Sequence, residues 1–371
     1  MRNLFFSVVF VLCLSGSLQN KKRENNSVVV RPVGRTFRGE LFIGTNVNLV
    51  LNGTQAPILS SSTPALRLLS NNTAGYLLGP LSTRVIPIIY VLVLSVGIPA
   101  NVAILCTLAS KLRKVSSAIL YCSLAVSDLF LLLSLFFKSH YHLHGNHWAL
   151  GEAACRVVTA CFYGNLYCSA QTLGCISIKR YLAVVHPFMY KSLPKQMCTA
   201  WVTLVVWVVF GLAVVPELLI RQSYWIPEIG RITCHDILTY NDSHIFLLYY
   251  NLFLNIFGLL VPLVVTVVCY TRIVFELTQS HHDWAMYIKA SSLVFVIFVV
   301  CFTPAAVLHL LHYVQLSVGG TESLYVYFNV AVCLCCLHAC LDPFLFLLMS
   351  KSSGSRHYFR AFKGKTMSLS V

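Results

Sequence analysis

The residues that could do chemistry in this chain are few and widely separated. Arg31 and Arg35 stand in a polar stretch near the start of the chain, and a trypsin-like serine protease cuts after an accessible basic residue. Asp128 and Asp342 interrupt strongly apolar sequence, where an ionisable group is costly and marks a functional site by default. The sequence therefore predicts a proteolytic site in a polar segment near the start of the chain and a polar site within the apolar part that follows.

The composition indicates what surrounds these residues. Of 371 residues, 57% are hydrophobic and 11% are charged, against roughly 25% charged in soluble domains. These values exclude an ordinary soluble enzyme and a disordered protein, and they favour a bilayer as the surroundings. The net charge of +15 is then better explained by basic loops that orient membrane helices than by binding to nucleic acid. Enzyme or transporter function is disfavoured, because no nucleophile elbow, phosphate loop, metal-ligand triad or broken-helix repeat appears in the sequence.

The first 84 residues have a different character from the rest. A basic start, the apolar run Leu4–Leu14 and small residues after it predict a secretory signal peptide over residues 1–17; a short buried helix is the alternative. Residues 18–84 are rich in Asn, Ser, Thr, Gly and Pro, which predicts a disordered extracellular segment. Residues 18–35 would be released by a cut after Arg35, and 36–84 would stay attached.

Seven apolar stretches follow, each near the ~20 residues that cross a bilayer. They predict an all-α bundle over residues 85–348, with the N-terminus outside the cell and a short cytoplasmic tail, 349–371, that suits a short amphipathic helix. The protein is thus expected to be a multi-pass plasma-membrane protein in contact with lipid. The predicted spans are Val85–Leu108, Ala118–Phe137, Ala154–Tyr181, Cys198–Ile220, Ile245–Tyr270, Met286–Val314 and Ser323–Leu348.

Charges, glycosylation motifs and cysteines agree with this topology. The predicted inner side carries Lys111, Arg113, Lys114, Lys191, Lys195, Lys351, Arg356, Arg360, Lys363 and Lys365. The predicted outer side carries the Asn-x-Ser/Thr motifs at Asn25, Asn52, Asn71 and Asn241. Outside the signal peptide, only Cys155 and Cys234 face the oxidising compartment, which predicts a disulfide between them. The cysteines between 333 and 340 are interpreted as packing residues rather than metal ligands.

The spans also carry the marks of a known superfamily. From residue 85 to about 367 the chain resembles a rhodopsin-like G-protein-coupled receptor, and the resemblance implies the seven-helix fold and coupling to a heterotrimeric G protein. It also allows a receptor dimer. The matching residues are Asn101, Asp128, Cys155, Arg180, Trp207, Pro262, Pro304 and Pro343.

Within that superfamily the chain resembles the protease-activated receptors, most of all their thrombin-receptor-like third subtype. The loop sequence Cys234-His235-Asp236-Ile237-Leu238 is the most specific mark, and the segments CFTP at 301–304, LDPF at 341–344 and RTFRG at 35–39 accompany it. The resemblance implies a cut after Arg35, with Thr36-Phe37-Arg38-Gly39 as a tethered agonist. It further implies signalling in coagulation or in platelet and vascular responses.

The residues around Arg35 support the same cut. Arg31 precedes Pro32, which makes a poor scissile bond, whereas Arg35 follows the flexible Gly34. About 50 residues separate Thr36 from the first span, and such a flexible linker reaches about 40 Å. The effective concentration of the tethered end is then near millimolar. Thrombin is the protease implied by resemblance, but thrombin receptors carry an acidic segment after the cut, whereas Glu40-Leu41-Phe42 has one acid. Gly34 before the scissile arginine also suits a broadly specific trypsin-like enzyme.

A pocket is expected to receive the new end. Asp236, with His235 beside it, would bind the new ammonium of Thr36, and the resemblance implies pocket positions at Tyr163, Tyr313 and Tyr325. Each tyrosine is equally compatible with a membrane-interface belt. Phe328 stands where relatives carry a second tyrosine, which leaves one polar contact open.

No cofactor is required, but the resemblance implies an ion inside the bundle. Sodium bound by Asp128, Asp342 and Ser169, with Asn101 nearby, is expected; a protonated carboxyl pair without metal is the alternative.

At the cytoplasmic end the resemblance implies that Arg180 contacts the G protein with support from Tyr270. Two residues depart from the family pattern: Lys179 replaces an acid beside Arg180, and Phe346 replaces a tyrosine. The inactive state is then weakly restrained, or coupling is poor. A cleavage-dependent decoy that does not signal, and a peptide receptor activated by a free ligand, therefore stay open as alternatives.

Overall fold

The computed structural model describes residues 36–42, 63–68, 71–109, 115–239, 245–279, 285–317 and 324–348. Helices dominate these ranges, and five short strands form one sheet beside them. The helices are α1 Asn71–Leu78, α2 Ile86–Ala109, α3 Ser116–Leu143, α4 Gly151–Val185, α5 Pro187–Ser192, α6 Lys195–Leu219, α7 Ile245–Asn255, α8 Val261–Thr278, α9 Ala285–Ile297, α10 Thr303–Ser317 and α11 Leu324–Cys335.

Six helical stretches are long and apolar enough to cross a membrane, and each coincides with a predicted span. They are Thr73–Ala109, Ser116–Leu143, Lys195–Leu219, Tyr249–Thr278, Tyr287–Gln315 and Leu324–Leu348. The remaining predicted span is α4, a helix of 35 residues. It packs against α3, α6 and α8, so polar residues such as Asn165, Ser169 and Thr172 are buried between helices rather than exposed to lipid.

The outer faces of the bundle are apolar, as a lipid environment requires. Helix α6 illustrates this, because its side chains Leu212 and Leu219 are 68% and 72% exposed. In water such a surface would be unfavourable by roughly 25 cal/mol for each Å². Contact with lipid removes that cost, and the helix is therefore placed at the bundle's margin.

Prolines explain the irregular turns inside three of the spans. A proline has no N–H and its ring displaces the carbonyl one turn earlier, so the helix widens locally. π-helical turns over Leu81–Val85, Ile256–Leu260 and Phe298–Phe302 stand directly before Pro87, Pro262 and Pro304. These turns set the direction of α2, α8 and α10.

The sheet contains strands from two distant parts of the chain. Its order is β4-β3-β2-β1-β5. β3 and β4 form an antiparallel hairpin. β1 lies between β2, which is antiparallel to it, and β5, which is parallel. The bounds are β1 Phe37–Phe42, β2 Ala65–Leu68, β3 Ser223–Ile226, β4 Arg231–Cys234 and β5 Ile237–Thr239.

The expectation that residues 36–84 lack secondary structure is wrong at three places. β1, β2 and α1 all lie in this segment. Local sequence could not show this, because each strand is short, and apart from pairing with each other β1 and β2 pair with strands of the distant loop that contains Trp225 and Ile237. Residues 1–35, with the predicted signal peptide and released segment, and residues 349–371 lie outside the described residues.

The predicted disulfide is confirmed. Cys155, near the start of α4, is bonded to Cys234 at the end of β4, with their Cα atoms 5.8 Å apart. A second anchor is Glu152, whose carboxylate accepts hydrogen bonds from the backbone N–H groups of Gln222 and Ser223 at 2.8 Å. Ser223 pairs with Cys234 in the ladder, so both anchors hold the open end of the β3–β4 hairpin to the outer end of α4.

Candidate functional site

Phe37 is the residue on which the candidate site is centred. Its side chain is only 3% exposed, and its ring contacts Tyr325 edge-on, with centroids 4.4 Å apart. Tyr76 of α1 lies on another side, at 5.7 Å. Aromatic rings in such tilted arrangements attract each other beyond the effect of burial alone. The pocket therefore recognises an aromatic side chain at this position.

Backbone pairing holds the same segment in place. The N–H of Phe37 donates to the carbonyl oxygen of Asp236 at 2.9 Å, and Phe37 pairs with Ile237 in the parallel ladder. Thr36, directly before it, is fully buried. The segment thus adds one strand to a sheet, a mode of peptide recognition in which the main chain supplies affinity and pockets supply specificity.

Gly39 fits this slot because it has no side chain. A Cβ atom at Gly39 would lie 2.9 Å from Cγ2 of Ile237 and 3.1 Å from Cβ of Leu66. The first distance is shorter than two carbon atoms tolerate, since their optimum is 3.5–4.0 Å. The slot between β2 and β5 therefore requires glycine at the third position of the strand.

Asp236, the predicted anion, is buried next to the strand. Its Oδ2 accepts a hydrogen bond from the Tyr141 hydroxyl at 2.5 Å, and it is 8% exposed. Burial raises the pKa of the Asp236 carboxyl above its usual range, while the Lys138 ammonium and the Tyr141 hydroxyl oppose that rise. In the uncut chain Thr36 has no free ammonium, so the predicted charge pair is not formed here.

The other predicted pocket residues lie around the same opening. His235 has a left-handed backbone, φ 68°, and its Nδ1 lies 2.6 Å from Oε1 of Gln222. The ring of Tyr163 is 4.9 Å from the His235 ring. Tyr313 is half-buried on α10. Phe328 stacks on a histidine of α10 and lies 6.2 Å from Tyr325, so an aromatic wall replaces the polar contact that was in question.

Sequence reasoning missed several residues of this site. Tyr76 was assigned to an unstructured tail, and Leu66 belongs to a strand that was not predicted. Tyr141 and Lys138 lie on α3, where the Lys138 ammonium is 4.6 Å from the centre of the Phe162 ring. The one available signal was a lysine directly after the predicted span Ala118–Phe137; the structure continues this helix to Leu143, and a lysine within a membrane helix marks a functional site.

The two buried acids do meet inside the bundle. Asp128 and Asp342 lie in one group with His338, whose ligand atoms are all within 4.8 Å of one another. Ser169 donates to Oδ1 of Asp128 at 3.4 Å. Asn101 has a different role from the one expected, because its amide donates to the carbonyls of Gly97 and Ala339 and so links two helices. His338 was not predicted as part of this cluster.

At the cytoplasmic end Arg180 is buried and bonded, but not to Tyr270. Its Nη1 donates to the carbonyl of Ala290 on α9 at 2.6 Å, and its Nη2 to the hydroxyl of Tyr121 on α3 at 3.0 Å. The Tyr270 hydroxyl lies 3.2 Å from that of Ser292. The expected support from Tyr270 is thus supplied by Tyr121 in this arrangement.

The two unusual residues of this end pack without strain. Lys179 points away from the arginine beside it, and its ammonium donates to Ser116 at 3.0 Å and to Thr199 at 3.1 Å. Phe346 lies edge-on to Tyr121, with centroids 5.9 Å apart. A lysine at this position therefore joins α3, α4 and α6, whereas an acid would have paired with Arg180.

Several predicted site residues cannot be placed. Arg35 and three of the four glycosylation motifs, at Asn25, Asn52 and Asn241, lie outside the described residues. Asn71 is the first residue of α1. The cleavage and glycosylation assignments stay predictions.

Comparisons with known proteins agree with this architecture. Residues 100–346 match the family described as "7 transmembrane receptor (rhodopsin family)". The chain is 44% identical to Proteinase-activated receptor 3 of Rattus norvegicus over 283 residues, 76% of this chain and 77% of the rat protein. Identity to the human protein of that name is 43%, over 76% of each chain.

Identity to Proteinase-activated receptor 1 of Mus musculus is 35% over 81% of this chain and 71% of the mouse protein. With a matched family over most of the helical bundle and relatives of this similarity, the chain belongs to the rhodopsin family of seven-transmembrane receptors and, within it, to the proteinase-activated receptors, multi-pass proteins of the plasma membrane.

Proposed function

We propose that a trypsin-like serine protease cuts this receptor after Arg35 and that the new N-terminus, Thr36-Phe37-Arg38-Gly39, is its tethered agonist. The cut strand binds between β2 and β5, and the occupied receptor activates a heterotrimeric G protein through Arg180. Thrombin is one candidate protease, and other trypsin-like enzymes are equally compatible with the residues around Arg35.

The burial of Phe37 carries this proposal. A disordered leader is not expected to bury a phenylalanine between Tyr76 and Tyr325 and to pair its backbone with the loop after Cys234. Strand β1 begins at Phe37, two residues after the arginine that the sequence selects as the cutting site. Recognition of the strand and the position of the cut are thus explained by the same few residues.

Charge supports the same assignment. A cut after Arg35 creates an ammonium on Thr36, and Thr36 directly precedes the residue whose N–H bonds to the Asp236 backbone. Asp236 belongs to this loop, and its carboxylate accepts a hydrogen bond from the Tyr141 hydroxyl. An ammonium beside a buried carboxylate is stabilised by several times more than the same pair in water. The cut therefore adds a favourable interaction that the uncut chain lacks.

The docked strand also determines when the cut can occur. Proteases of this class bind an extended, accessible segment, yet Thr36 and Phe37 are fully or almost fully buried when β1 is docked. Cleavage therefore requires β1 to leave the slot. Docking before the cut protects the scissile bond, and docking after the cut activates the receptor.

A second function, a cleavable decoy without signalling, is favoured by one observation. The Lys179 ammonium donates hydrogen bonds to Ser116 and Thr199. The acid–arginine pair typical of the superfamily is thus replaced by contacts that join three helices. A receptor fixed in this way would bind its agonist without moving Arg180. The two functions share the outer site and differ only at the cytoplasmic end.

N-terminal sequencing of the intact receptor, after exposure to a panel of trypsin-like proteases, tests the proposed cut. We expect a single early product that begins Thr36-Phe37-Arg38, and no such product from Arg35→Ala. Arg31→Ala is the matched control and should be cut normally. A product that begins elsewhere, or equal cutting of Arg35→Ala, would refute the assignment.

A further inference from the structure

Two exposed histidines lie one helical turn apart at the outer end of α3. His140 belongs to the last turn of the helix, and His144 directly follows its final residue, Leu143. Side chains four residues apart are neighbours on one helix face, and here the two imidazole rings stack, with centroids 4.0 Å apart and 29° between their planes. Close face contact suits neutral rings, because two imidazolium cations would repel each other. Each neutral ring has one nitrogen lone pair, so two metal-binding nitrogens are brought together at the surface.

The hydrogen bond of His144 determines which of its nitrogens is available. Its Nδ1 lies 2.8 Å from the carbonyl oxygen of His140. A carbonyl only accepts, so Nδ1 carries the proton and the lone pair of the neutral ring is on Nε2. Histidines that bind metals donate their other ring nitrogen to a carbonyl or carboxylate in the same way, which fixes the tautomer and the ring orientation. His144 is therefore held as a metal ligand is held.

A third histidine of the following turn is held in the opposite sense. The backbone N–H of Ile232 on β4 donates to Nδ1 of His147 at 3.3 Å. This Nδ1 is thus an acceptor, and the proton of the neutral ring is on Nε2. The lone pair that a metal ion would need is used by the backbone. His147 is therefore unsuitable as a ligand, and it provides a matched control three residues from His144.

We propose that His140 and His144 bind a divalent transition-metal ion, zinc or copper(II), with water in the remaining coordination positions. Imidazole nitrogen is a favourable ligand for these ions, whereas magnesium and calcium favour carboxylate and carbonyl oxygens. The Arg231 guanidinium donates to the backbone carbonyl of His144 at 2.6 Å, and its positive charge opposes any cation nearby. The ion is therefore held by nitrogen ligation rather than by negative charge, and this requirement selects transition metals.

A metal ion at this position would lie close to the loop that pairs with β1. The last turn of α3 also carries Tyr141, whose hydroxyl donates to Asp236. After the turn, the backbone N–H of Trp148 donates to the carbonyl of Ile232 at 2.8 Å. An ion bound by residues four apart links the two ends of one helical turn. Its binding should therefore stabilise the junction between α3 and the β3–β4 hairpin.

Zinc titration of the full-length receptor in nanodiscs, without a polyhistidine tag, tests this proposal. Zinc chloride is added in competition with a chromophoric chelator, which reports free zinc. We expect His140→Asn and His144→Asn each to weaken binding of one zinc ion at least about tenfold, because loss of a ligand costs no less than loss of a group that supports a ligand. His147→Asn should bind zinc as the wild type does, and magnesium chloride should not displace zinc. The chain has 13 histidines, so the comparison between variants assigns the site.

Electron paramagnetic resonance of bound copper(II) identifies the ligands directly. We expect hyperfine splitting from two imidazole nitrogens in the wild type and in His147→Asn, and from one in His140→Asn and in His144→Asn. Both proposed ligands are exposed, so without metal the Tm of their variants should stay within about 2 °C of the wild type. Absence of zinc binding in the wild type, or equal zinc binding in all four proteins, would overturn the proposal.

Discussion

The side-chain contacts at the outer end of this receptor differ in kind from those at its cytoplasmic end. At the outer end, specific contacts explain the residue type at three positions. Gly39 lies against Ile237, Phe37 contacts Tyr325, and Asp236 accepts a hydrogen bond from Tyr141. At the cytoplasmic end the superfamily's restraining acid is absent, and Lys179 binds neighbouring helices instead.

This difference predicts that recognition of the agonist strand and transmission of the signal to the G protein are separable in this chain. The outer site is specific because main-chain pairing, a close approach and an aromatic pocket must all be satisfied together. The cytoplasmic end holds Arg180 with a backbone carbonyl of α9 and one tyrosine. Each of these hydrogen bonds involves a charged group and contributes about 1.5–3 kcal/mol, but no pocket or close backbone approach has to be satisfied with it. Changes at the outer end should therefore have larger effects.

The largest expected effect follows from filling the slot. Gly39→Val places a branched side chain where even one carbon would lie 2.9 Å from Ile237, so β1 should not dock. We expect loss of protease-induced signalling, while cutting after Arg35 becomes faster because the scissile bond is no longer protected. Second-messenger and cleavage assays on the same cells measure both. Gly75→Ala, which has open space around it, should behave as wild type; slower cutting of Gly39→Val would contradict the docking account.

Removal of the aromatic anchor should come next. Phe37→Ala in a free peptide of sequence Thr36–Phe42 deletes a buried ring worth roughly 1.5–3 kcal/mol, so agonist potency should fall about 10- to 100-fold. A dose–response curve for G-protein activation measures this fall. Glu40→Ala removes an exposed side chain of the same strand and serves as the control. Equal potency of the two variant peptides would show that the buried Phe37 ring contributes no more to agonist binding than the exposed Glu40 side chain.

Acidification should weaken the outer site and leave the cytoplasmic end unaffected. Burial raises the pKa of Asp236, and because the folded protein holds this proton more tightly than the unfolded chain, ionised Asp236 lowers stability as pH rises. Conversely, its charge is lost on acidification at a higher pH than for an exposed aspartate. Binding of the free peptide should fall up to about tenfold between about pH 7.5 and about pH 5, and Asp236→Asn should flatten this dependence. An equally steep profile in the variant would assign the effect to another group.

The smallest expected effect concerns the restraint of Arg180. Tyr121→Phe keeps the ring beside Phe346 but removes the hydroxyl that accepts from Arg180. A hydrogen bond to a charged group is worth about 1.5 kcal/mol at the lower end of its range, and Arg180 keeps its bond to the carbonyl of Ala290, so basal G-protein activation should rise at most about tenfold. Nucleotide exchange on reconstituted G protein measures this rise. Tyr249→Phe, at an exposed position, is the control. Unchanged basal exchange in Tyr121→Phe would show that this bond does not restrain the receptor.

The spans could be predicted because their signal is local. A run of apolar residues must cross the bilayer wherever it packs, so Lys195–Leu219 was located within a few residues of the predicted Cys198–Ile220. The disulfide followed from topology alone. In α4 the same reasoning placed the helix correctly, although the burial of its polar residues depends on neighbouring helices.

The strands and the position of His338 could not be predicted, because their signal is not local. β1 and β2 are short, and their pairing with β5 and β3 depends on residues far along the chain. His338 stands among cysteines in an apolar segment, and its nearness to Asp128 arises only when α3 and the last span pack together. Resemblance to a family supplied the two acids but not His338.

The most direct test of the central claim is the second-messenger response of intact cells to the cutting protease, with equal surface expression of wild type and Arg35→Ala. We predict a response in wild type, none in Arg35→Ala, and recovery of Arg35→Ala by the free peptide of sequence Thr36–Phe42. A response to protease in Arg35→Ala, or silence of the cut wild-type receptor towards both protease and peptide, would contradict the tethered-agonist account.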